Sequence, residues 1–253
     1  MATVADILQY IETLAPRELK MDWDNVGLLC GGKDRPVTKL LVALDPFEHV
    51  CREASDWGAE LLVTHHPLIF VAPKSITDET SVGRSIQILC AHGISAINAH
   101  TNLDCAQGGV NDVLAKTLEL TDVSVIGSEN LLRAGCFDAD LPAFLAHVKE
   151  KLGCQGLRYV DGGKNVHKVA VGGGSCAGAM LDALAAGCDT LVTADVKYNQ
   201  FWDAKELGLN LIDAGHFQTE NPVVAVLAEK IAAAFPEIEV KISEIHEDCM
   251  KFC

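Results

Sequence analysis

The sequence predicts an α/β protein built from two related, interleaved halves whose sheets are mainly parallel. Short apolar runs typical of buried strands alternate along the chain with segments of helical periodicity. Helical segments stop at a glycine just before the next strand, as at Gly58 and Gly93. Residues 57–64 also align with 186–193, and residues 93–99 with 208–214. Alternating strands and helices require crossover connections, which make neighbouring strands parallel.

The elements follow in order from these signals. A helix at residues 5–14 ends before Pro16, and the glycines and apolar runs place the elements after it. We predict further helices at residues 48–57, 81–91, 110–118, 141–152, 177–186 and 222–235. We predict strands at residues 40–44, 61–64, 94–98, 131–137, 156–160, 166–171, 190–193, 209–212 and 237–242.

The internal alignment predicts an old duplication, although helix, glycine and strand can recur by chance in any α/β protein. We place one metal-site half at residues 1–128 plus 215–253, and the second half at residues 129–214. The copies differ in chemistry, because His65-His66 in the first aligns with Ala194-Asp195 in the second.

Composition limits the possible function classes. The chain has 253 residues, of which 49% are hydrophobic, and this allows a sizeable core. Its net charge of −15 argues against a broad nucleic-acid surface. We expect no membrane span, and the N-terminus is typical of an amphipathic helix and not of a signal peptide. Ten scattered cysteines without a CxxC pair indicate buried free thiols and a cytoplasmic location.

Metal-ligand residues follow three predicted strands. His65 and His66 follow the strand at 61–64, Asp104 comes after the strand at 94–98, and His216 and Glu220 follow the strand at 209–212. The carboxyl ends of parallel strands meet at one crevice, so these side chains predict a site for two divalent metals. Considered alone, Asp104 could be interpreted as a helix cap, and His216 as an ordinary loop histidine. The lone histidines are interpreted as ordinary surface or core residues: His49, His92, His147, His167 and His246.

Two ions held about 3.5–4 Å apart favour hydrolysis, because a bridging water becomes a nucleophile at neutral pH. A cyclic amide, a ring C–N bond or a phosphoester would be the substrate, and the metal would be zinc, iron, manganese or cobalt. The alternative is a non-catalytic metal-binding protein for storage, delivery, sensing or scaffolding. A third reading, a nucleotide-dependent oxidoreductase, would use the glycines at 172–174, which otherwise let a strand turn tightly.

Five motifs resemble those of the Nif-three-like, YbgI-type dinuclear-metal proteins, also called GTP cyclohydrolase I type 2 homologues. They are Asp24-Asn25-Val26-Gly27-Leu28, Thr64-His65-His66-Pro67, His100-Thr101-Asn102-Leu103-Asp104, Thr193-Ala194-Asp195-Val196-Lys197-Tyr198 and Asp213-Ala214-Gly215-His216-Phe217-Gln218-Thr219-Glu220. The resemblance covers essentially the whole chain. It implies a Nif-three-like fold and two metal ions held by His65, His66, Asp104, His216 and Glu220, with Glu220 bridging. It also implies a toroidal homohexamer. Ala194 departs from the expected glycine, which puts the shape of that loop in doubt.

Further residues are candidates for supporting the metals or contacting the substrate. Asn25, Asp45 and Thr101 belong to this set, and Lys197 could bind an anionic substrate. His100 is a candidate catalytic residue, because an imidazole beside the ions can move a proton. It could equally orient a ligand or cap a loop.

Overall fold

A computed structural model describes all residues, 1–253, and divides them into two compact units. The first unit comprises Met1–Gln107 and Val224–Glu247, and the second comprises Gly108–Val223 and Asp248–Cys253. The predicted halves, 1–128 plus 215–253 and 129–214, have different bounds. Near residue 128 the difference arises because residues 121–126 form a strand that pairs within the sheet of the second unit.

Helices and strands alternate along most of the chain, as the α/β class requires. The α-helices are α1 (Val4–Leu14), α2 (Glu48–Trp57), α3 (Ser81–His92), α4 (Thr101–Cys105), α5 (Val110–Thr117), α6 (Leu141–Leu152), α7 (Met180–Ala185), α8 (Tyr198–Leu207), α9 (His216–Glu220) and α10 (Pro222–Ala234). The strands are β1 (Gly27–Cys30), β2 (Lys39–Ala43), β3 (Leu61–Thr64), β4 (Ser95–Asn98), β5 (Thr121–Ile126), β6 (Leu132–Ala139), β7 (Arg158–Val160), β8 (Val166–Val171), β9 (Thr190–Thr193), β10 (Asn210–Asp213) and β11 (Glu239–Ile242). Short 3₁₀ turns cover Arg17–Leu19 and Ala177–Ala179.

The first unit contains a five-stranded sheet in the order β1-β4-β3-β2-β11. Its strands are parallel except for β1, which pairs antiparallel with β4. Apolar residues of β2 and β3, such as Leu41 and Leu62, pack with Val50 of α2 and Leu89 of α3 in one core cluster. The parallel register aligns the carboxyl ends of β3 and β4, because Thr64 pairs with Asn98.

The second unit contains a six-stranded sheet in the order β5-β6-β8-β9-β10-β7. The central strands β8, β9 and β10 are parallel, and the flanking strands pair antiparallel. Alternate side chains of β8 enter different clusters: Val169 packs with Phe144 of α6, whereas Ala170 packs with Met180 of α7. Because successive side chains of a strand point to opposite faces, helices pack against both faces of this sheet.

The two units share a local design that the aligned segments predict. In each, a helix ends near a glycine in the left-handed conformation and the next parallel strand follows. Gly58 and Gly187 have φ of 77° and 78°, and Gly93 and Gly208 have φ of 69° and 68°. These turns are common wherever a helix ends, so the duplication stays a prediction. No helix of the structure is both long enough and apolar enough to cross a membrane.

Candidate metal centre

Two adjacent histidines lie where β3 ends. The hydroxyl of Thr64 donates to the carbonyl of His66 (2.7 Å), while the amide of His66 donates to the carbonyl of Leu44 (2.9 Å). The second bond continues the parallel pairing of β2 with β3, and the chain bends at His65 and His66, where the alternation of an extended strand ends. The two imidazoles therefore lie together, with the ring centroids of His65 and His66 4.9 Å apart.

A third histidine, His100, comes from the neighbouring strand end. Its ring centroid lies 5.2 Å from that of His65 and 5.5 Å from that of His66. One ligand nitrogen from each of the three rings lies within 4.8 Å of the others. We call His65, His66 and His100 the histidine cluster.

The Nδ1 atom of every residue in the histidine cluster lies at hydrogen-bonding distance from an oxygen acceptor. The pairs are His65 with the carbonyl of Ala99 (2.9 Å), His66 with Oδ1 of Asp45 (2.7 Å) and His100 with Oδ1 of Asp24 (2.8 Å). A carbonyl or ionised carboxylate only accepts, so Nδ1 carries the proton and Nε2 of the neutral ring keeps its lone pair. Metal-binding histidines are oriented in this way.

Asp24 holds His100 and is not among the predicted site residues. Its buried carboxylate also accepts from the backbone N–H of Thr101 (3.0 Å) and from the hydroxyl of Thr101 (2.5 Å). Burial acts to raise the pKa of Asp24, but hydrogen bonds from His100 and Thr101 outweigh it and hold the pKa well below its usual range. Thr101 therefore positions Asp24. In the sequence, the position of Asp24 at the start of the motif at 24–28 is the feature that could have identified it as a site residue.

Asp45 connects two histidines of the first unit. Its Oδ1 accepts from His66, and its Oδ2 lies 2.9 Å from Nε2 of His246. Burial acts to raise the pKa of Asp45, but the hydrogen bonds from His246 and His66 hold it well below the usual range. His246, interpreted from the sequence as an ordinary histidine, therefore supports the carboxylate that orients His66.

Asp104 reaches the histidine cluster from the short helix α4. All five residues of α4 are buried, and the amide of Asp104 donates to the carbonyl of His100 (3.0 Å). Oδ1 of Asp104 lies 3.5 Å from Nε2 of His65. Two ligands of one tetrahedral zinc ion are about 3.3 Å apart when each bond is about 2.0–2.1 Å long. The spacing therefore suits two atoms that share an ion.

In the second unit, His216 and Glu220 lie one turn apart on α9. Nε2 of His216 lies 3.0 Å from Oε2 of Glu220, whose side chain is buried. The prediction that these residues share one face of a helical turn is confirmed. We call His216 and Glu220 the second-unit pair.

His216 is oriented by Asp195, which is also absent from the predicted site residues. Nδ1 of His216 lies 2.7 Å from Oδ2 of Asp195. Asp195 has a φ of 52°, and this left-handed conformation is costly for a residue with a side chain. Asp213 braces the loop, since its Oδ2 accepts from the backbone N–H of Val196 (3.0 Å). The positive φ falls on Asp195 and not on the preceding Ala194, so alanine is accommodated there.

The glycine run at 172–174 follows β8 and lies against the second-unit pair. A Cβ on Gly174 would lie 2.2 Å from Oε1 of Glu220 and 3.1 Å from Nε2 of His216. Glycine is therefore required here by the close approach of the two side chains.

The three glycine amides are already used within the second unit. Each donates to an oxygen of the chain: Gly172 to the carbonyl of Val192 (3.0 Å), Gly173 to Oδ1 of Asn111 (2.7 Å) and Gly174 to Oγ1 of Thr219 (3.0 Å). A dinucleotide loop needs such amides directed at phosphate. The geometry therefore supports the tight-turn interpretation and disfavours the oxidoreductase reading.

Two predicted residues lie outside these contacts. The side chain of Asn25 donates to the carbonyl of Ile69 (2.7 Å). Lys197 is exposed at the start of α8, and its backbone N–H donates to Oε1 of Gln200 (2.9 Å). A substrate contact by Asn25 or Lys197 stays a prediction.

The donor atoms of the clustered His, Asp and Glu residues are of the types that bind a divalent metal. Four histidines keep Nδ1 occupied and present Nε2, and the carboxylates of Asp104 and Glu220 are buried beside histidine rings. Imidazole and carboxylate ligands suit zinc, iron, manganese and cobalt. The chain therefore carries candidate metal-binding clusters, as the strand-end residues predict.

Comparison with known proteins identifies the family of this chain. The family model of Duf34/NIF3 (NGG1p interacting factor 3) matches residues 2–249. The chain belongs to this family. Its relatives include a GTP cyclohydrolase 1 type 2 homolog of Clostridium perfringens, which is 37% identical over 257 residues, or 98% of each chain.

Comparison with solved structures confirms the α/β fold. Staphylococcus aureus protein SA1388 aligns with a TM-score of 0.90 at 28% identity, covering 100% of this chain and 99% of that chain. A Bacillus cereus protein related to NIF3 aligns with a TM-score of 0.93 over the same shares, and its 24% identity shows the fold alone. The resemblance drawn from the motifs is thus confirmed.

Proposed function

We propose that this Duf34/NIF3 protein is a metal-dependent hydrolase with a dinuclear centre. The observation that carries the proposal is the shared anchoring of four histidines through Nδ1, in His65, His66, His100 and His216. His167 shows the same anchoring alone at the surface, whereas the ligand nitrogens of His65, His66 and His100 also lie within 4.8 Å of one another. Four such rings and two buried carboxylates are a set of side chains suited to binding metal ions.

The proposed ligands are those predicted from the strand ends. His65, His66 and Asp104 of the first unit and His216 and Glu220 of the second unit would hold two divalent ions. Glu220 would contribute its carboxylate, and the family resemblance implies that it would serve both ions. Bound there, the ions would supply Lewis acidity and lower the pKa of water, as hydrolysis at neutral pH requires.

His100 is proposed as the acid–base residue. The carboxylate of Asp24 holds the Nδ1–H of His100 (2.8 Å), which fixes the ring. Nε2 can then accept a proton from a water molecule and return it to a leaving group. His100 could also serve as a further ligand, and the metal content of the His100→Ala protein separates the two roles.

The substrate would be a small molecule with a cyclic amide, a ring C–N bond or a phosphoester. The name of the Clostridium perfringens relative favours the ring C–N bond, the type that a GTP cyclohydrolase opens.

We also propose a homohexamer, the assembly implied by the family resemblance. Light scattering on purified protein tests it, and a monomer would contradict it.

Metal content and hydrolysis, measured on one sample, test the proposed function. We expect about two ions per chain after reconstitution and turnover of GTP or a member of a phosphoester panel that chelation abolishes. His66→Ala and Glu220→Ala should lose bound metal while the fold survives. The control is His92→Ala, which changes an exposed histidine at the end of α3.

The results separate the candidate functions. Two ions without turnover of any substrate would favour the non-catalytic metal-binding protein. Wild-type metal content in both His66→Ala and Glu220→Ala would show that the ligand assignment is wrong.

A further inference from the structure

Two large aromatic side chains beside the histidine cluster are exposed. Trp23 is 63% exposed and Phe70 is 54% exposed. Aromatic side chains usually bury most of their surface, because burial removes apolar area from water. Two exposed rings in contact with each other form an apolar surface patch beside the histidine cluster, a feature typical of binding sites.

These rings are in contact with His100 as well as with each other. The centroids of Trp23 and Phe70 lie 5.7 Å apart in an edge-to-face arrangement. The centroid of His100 lies 6.2 Å from that of Trp23 and 6.1 Å from that of Phe70. A molecule that lies on either ring is therefore adjacent to the histidine cluster.

Hydrogen bonds fix the backbone that carries the two rings. The side chain of Asn25 donates to the carbonyl of Ile69 (2.7 Å), which joins the loop of Trp23 to the loop of Phe70. The side chain of Asn98, at the end of β4, donates to the carbonyl of Asn25 (3.1 Å). The backbone that carries the rings is thus held in place before a ligand arrives, which reduces the entropic cost of binding.

We infer that Trp23 and Phe70 bind a flat aromatic or heteroaromatic ring of the substrate, with its reacting bond directed at the metals. The inference rests on the proposed function. Flat rings stack on aromatic side chains, whereas a saturated ring has no π face to offer. Because neither Trp23 nor Phe70 is charged, this subsite recognises the ring itself and not an attached phosphate.

Two hydroxamates with the same metal-binding group test the inference. Benzohydroxamate carries an aromatic ring, and cyclohexanecarbohydroxamate carries a saturated ring of similar size. Titration calorimetry on the zinc-loaded full chain should show the aromatic probe binding roughly 10-fold more tightly. Trp23→Leu and Phe70→Leu should remove this preference without changing metal content. The control Trp202→Leu, an exposed tryptophan of the second unit, should keep it.

Each other outcome decides against the subsite. Equal binding of the two probes by the wild-type protein, or a preference that survives Trp23→Leu combined with Phe70→Leu, would overturn the subsite and leave the metal centre standing. A changed assembly size in Trp23→Leu would assign the rings to an interface between copies of the chain. If neither probe binds the zinc-loaded protein, the subsite is overturned, and the metal content and turnover of the same sample decide separately whether the proposed function stands.

Discussion

Gly174 and Glu220 are in such close contact that a Cβ on the glycine would lie 2.2 Å from Oε1 of the glutamate. Gly174 also has a φ of +61°, a conformation that L side chains rarely adopt. Two independent requirements therefore meet at one position. The first is local backbone strain, and the second is space for a proposed metal ligand.

Replacing Gly174 by alanine should weaken metal binding. The added methyl group would displace the carboxylate of Glu220, and displaced ligands lower metal affinity by roughly 10–100-fold. Gly163→Ala is the matched control, because Gly163 has a φ of +80° and nothing within 4 Å of its Cβ position. Competition with a chelator measures the affinity. Equal affinity in the two variants would show that Gly174 serves only the backbone.

Those parts of the site that depend on local sequence were predictable. His65 and His66 follow an apolar strand directly, and His216 and Glu220 have helical spacing, so a few neighbouring residues suffice to place each pair. Asp24 and His246 were not predictable in this way. His246 lies 201 residues from Asp45 along the chain, and only the fold of the first unit brings them together.

The elements that escaped prediction lack a clear apolar pattern. Five of the six residues of β5 are exposed, so the strand has no buried face in its sequence. In α8 only Ala204 is buried, and an apolar stripe is missing. β1 begins at Gly27 and is followed by Gly31, a composition that indicates a turn. The outer strands of the second sheet pair antiparallel with their neighbours. Hydrophobic periodicity in the sequence does not indicate which strands pair or in which direction.

Removing the carboxylate of Asp45 should also lower metal affinity. Asp45 accepts from Nδ1 of His66, and the ring would lose its fixed orientation in Asp45→Ala. The expected loss is roughly 10–100-fold. Asp138→Ala is the control, because Asp138 is an exposed carboxylate that pairs with His167. Affinity equal to that of the control would show that Asp45 does not orient a ligand.

The ion pair of Arg133 and Asp112 predicts a large stability effect in the second unit. The Arg133 side chain is 1% exposed, and its Nε lies 2.5 Å from Oδ1 of Asp112. Asp112→Ala would leave a buried charge without this carboxylate and should cost about 3 kcal/mol. Urea unfolding measures this cost. The exposed Glu119–Lys151 pair provides the control, since Glu119→Ala should shift the midpoint little.

A second change sharpens this test. Arg133→Met in the Asp112→Ala background removes the buried charge and should restore much of the lost stability. If the single variant Asp112→Ala unfolds at the wild-type urea concentration, the ion pair does not stabilise the unit.

The Cys51 thiol predicts a loss of stability at alkaline pH. Burial raises the pKa of Cys51 to about 11 from an ordinary value of 9.0. Because the folded protein holds this proton more tightly than the unfolded chain, the contribution is complete below pH 9 and is lost as the pH rises towards 11. The loss of unfolding free energy approaches about 2–3 kcal/mol.

Urea unfolding between pH 7.5 and pH 10.5 should therefore show a shallower decline in the free energy of unfolding for Cys51→Ala than for the wild type. Cys253→Ala changes an exposed thiol, and its curve should run parallel to the wild-type curve. A parallel curve for Cys51→Ala as well would contradict the raised pKa.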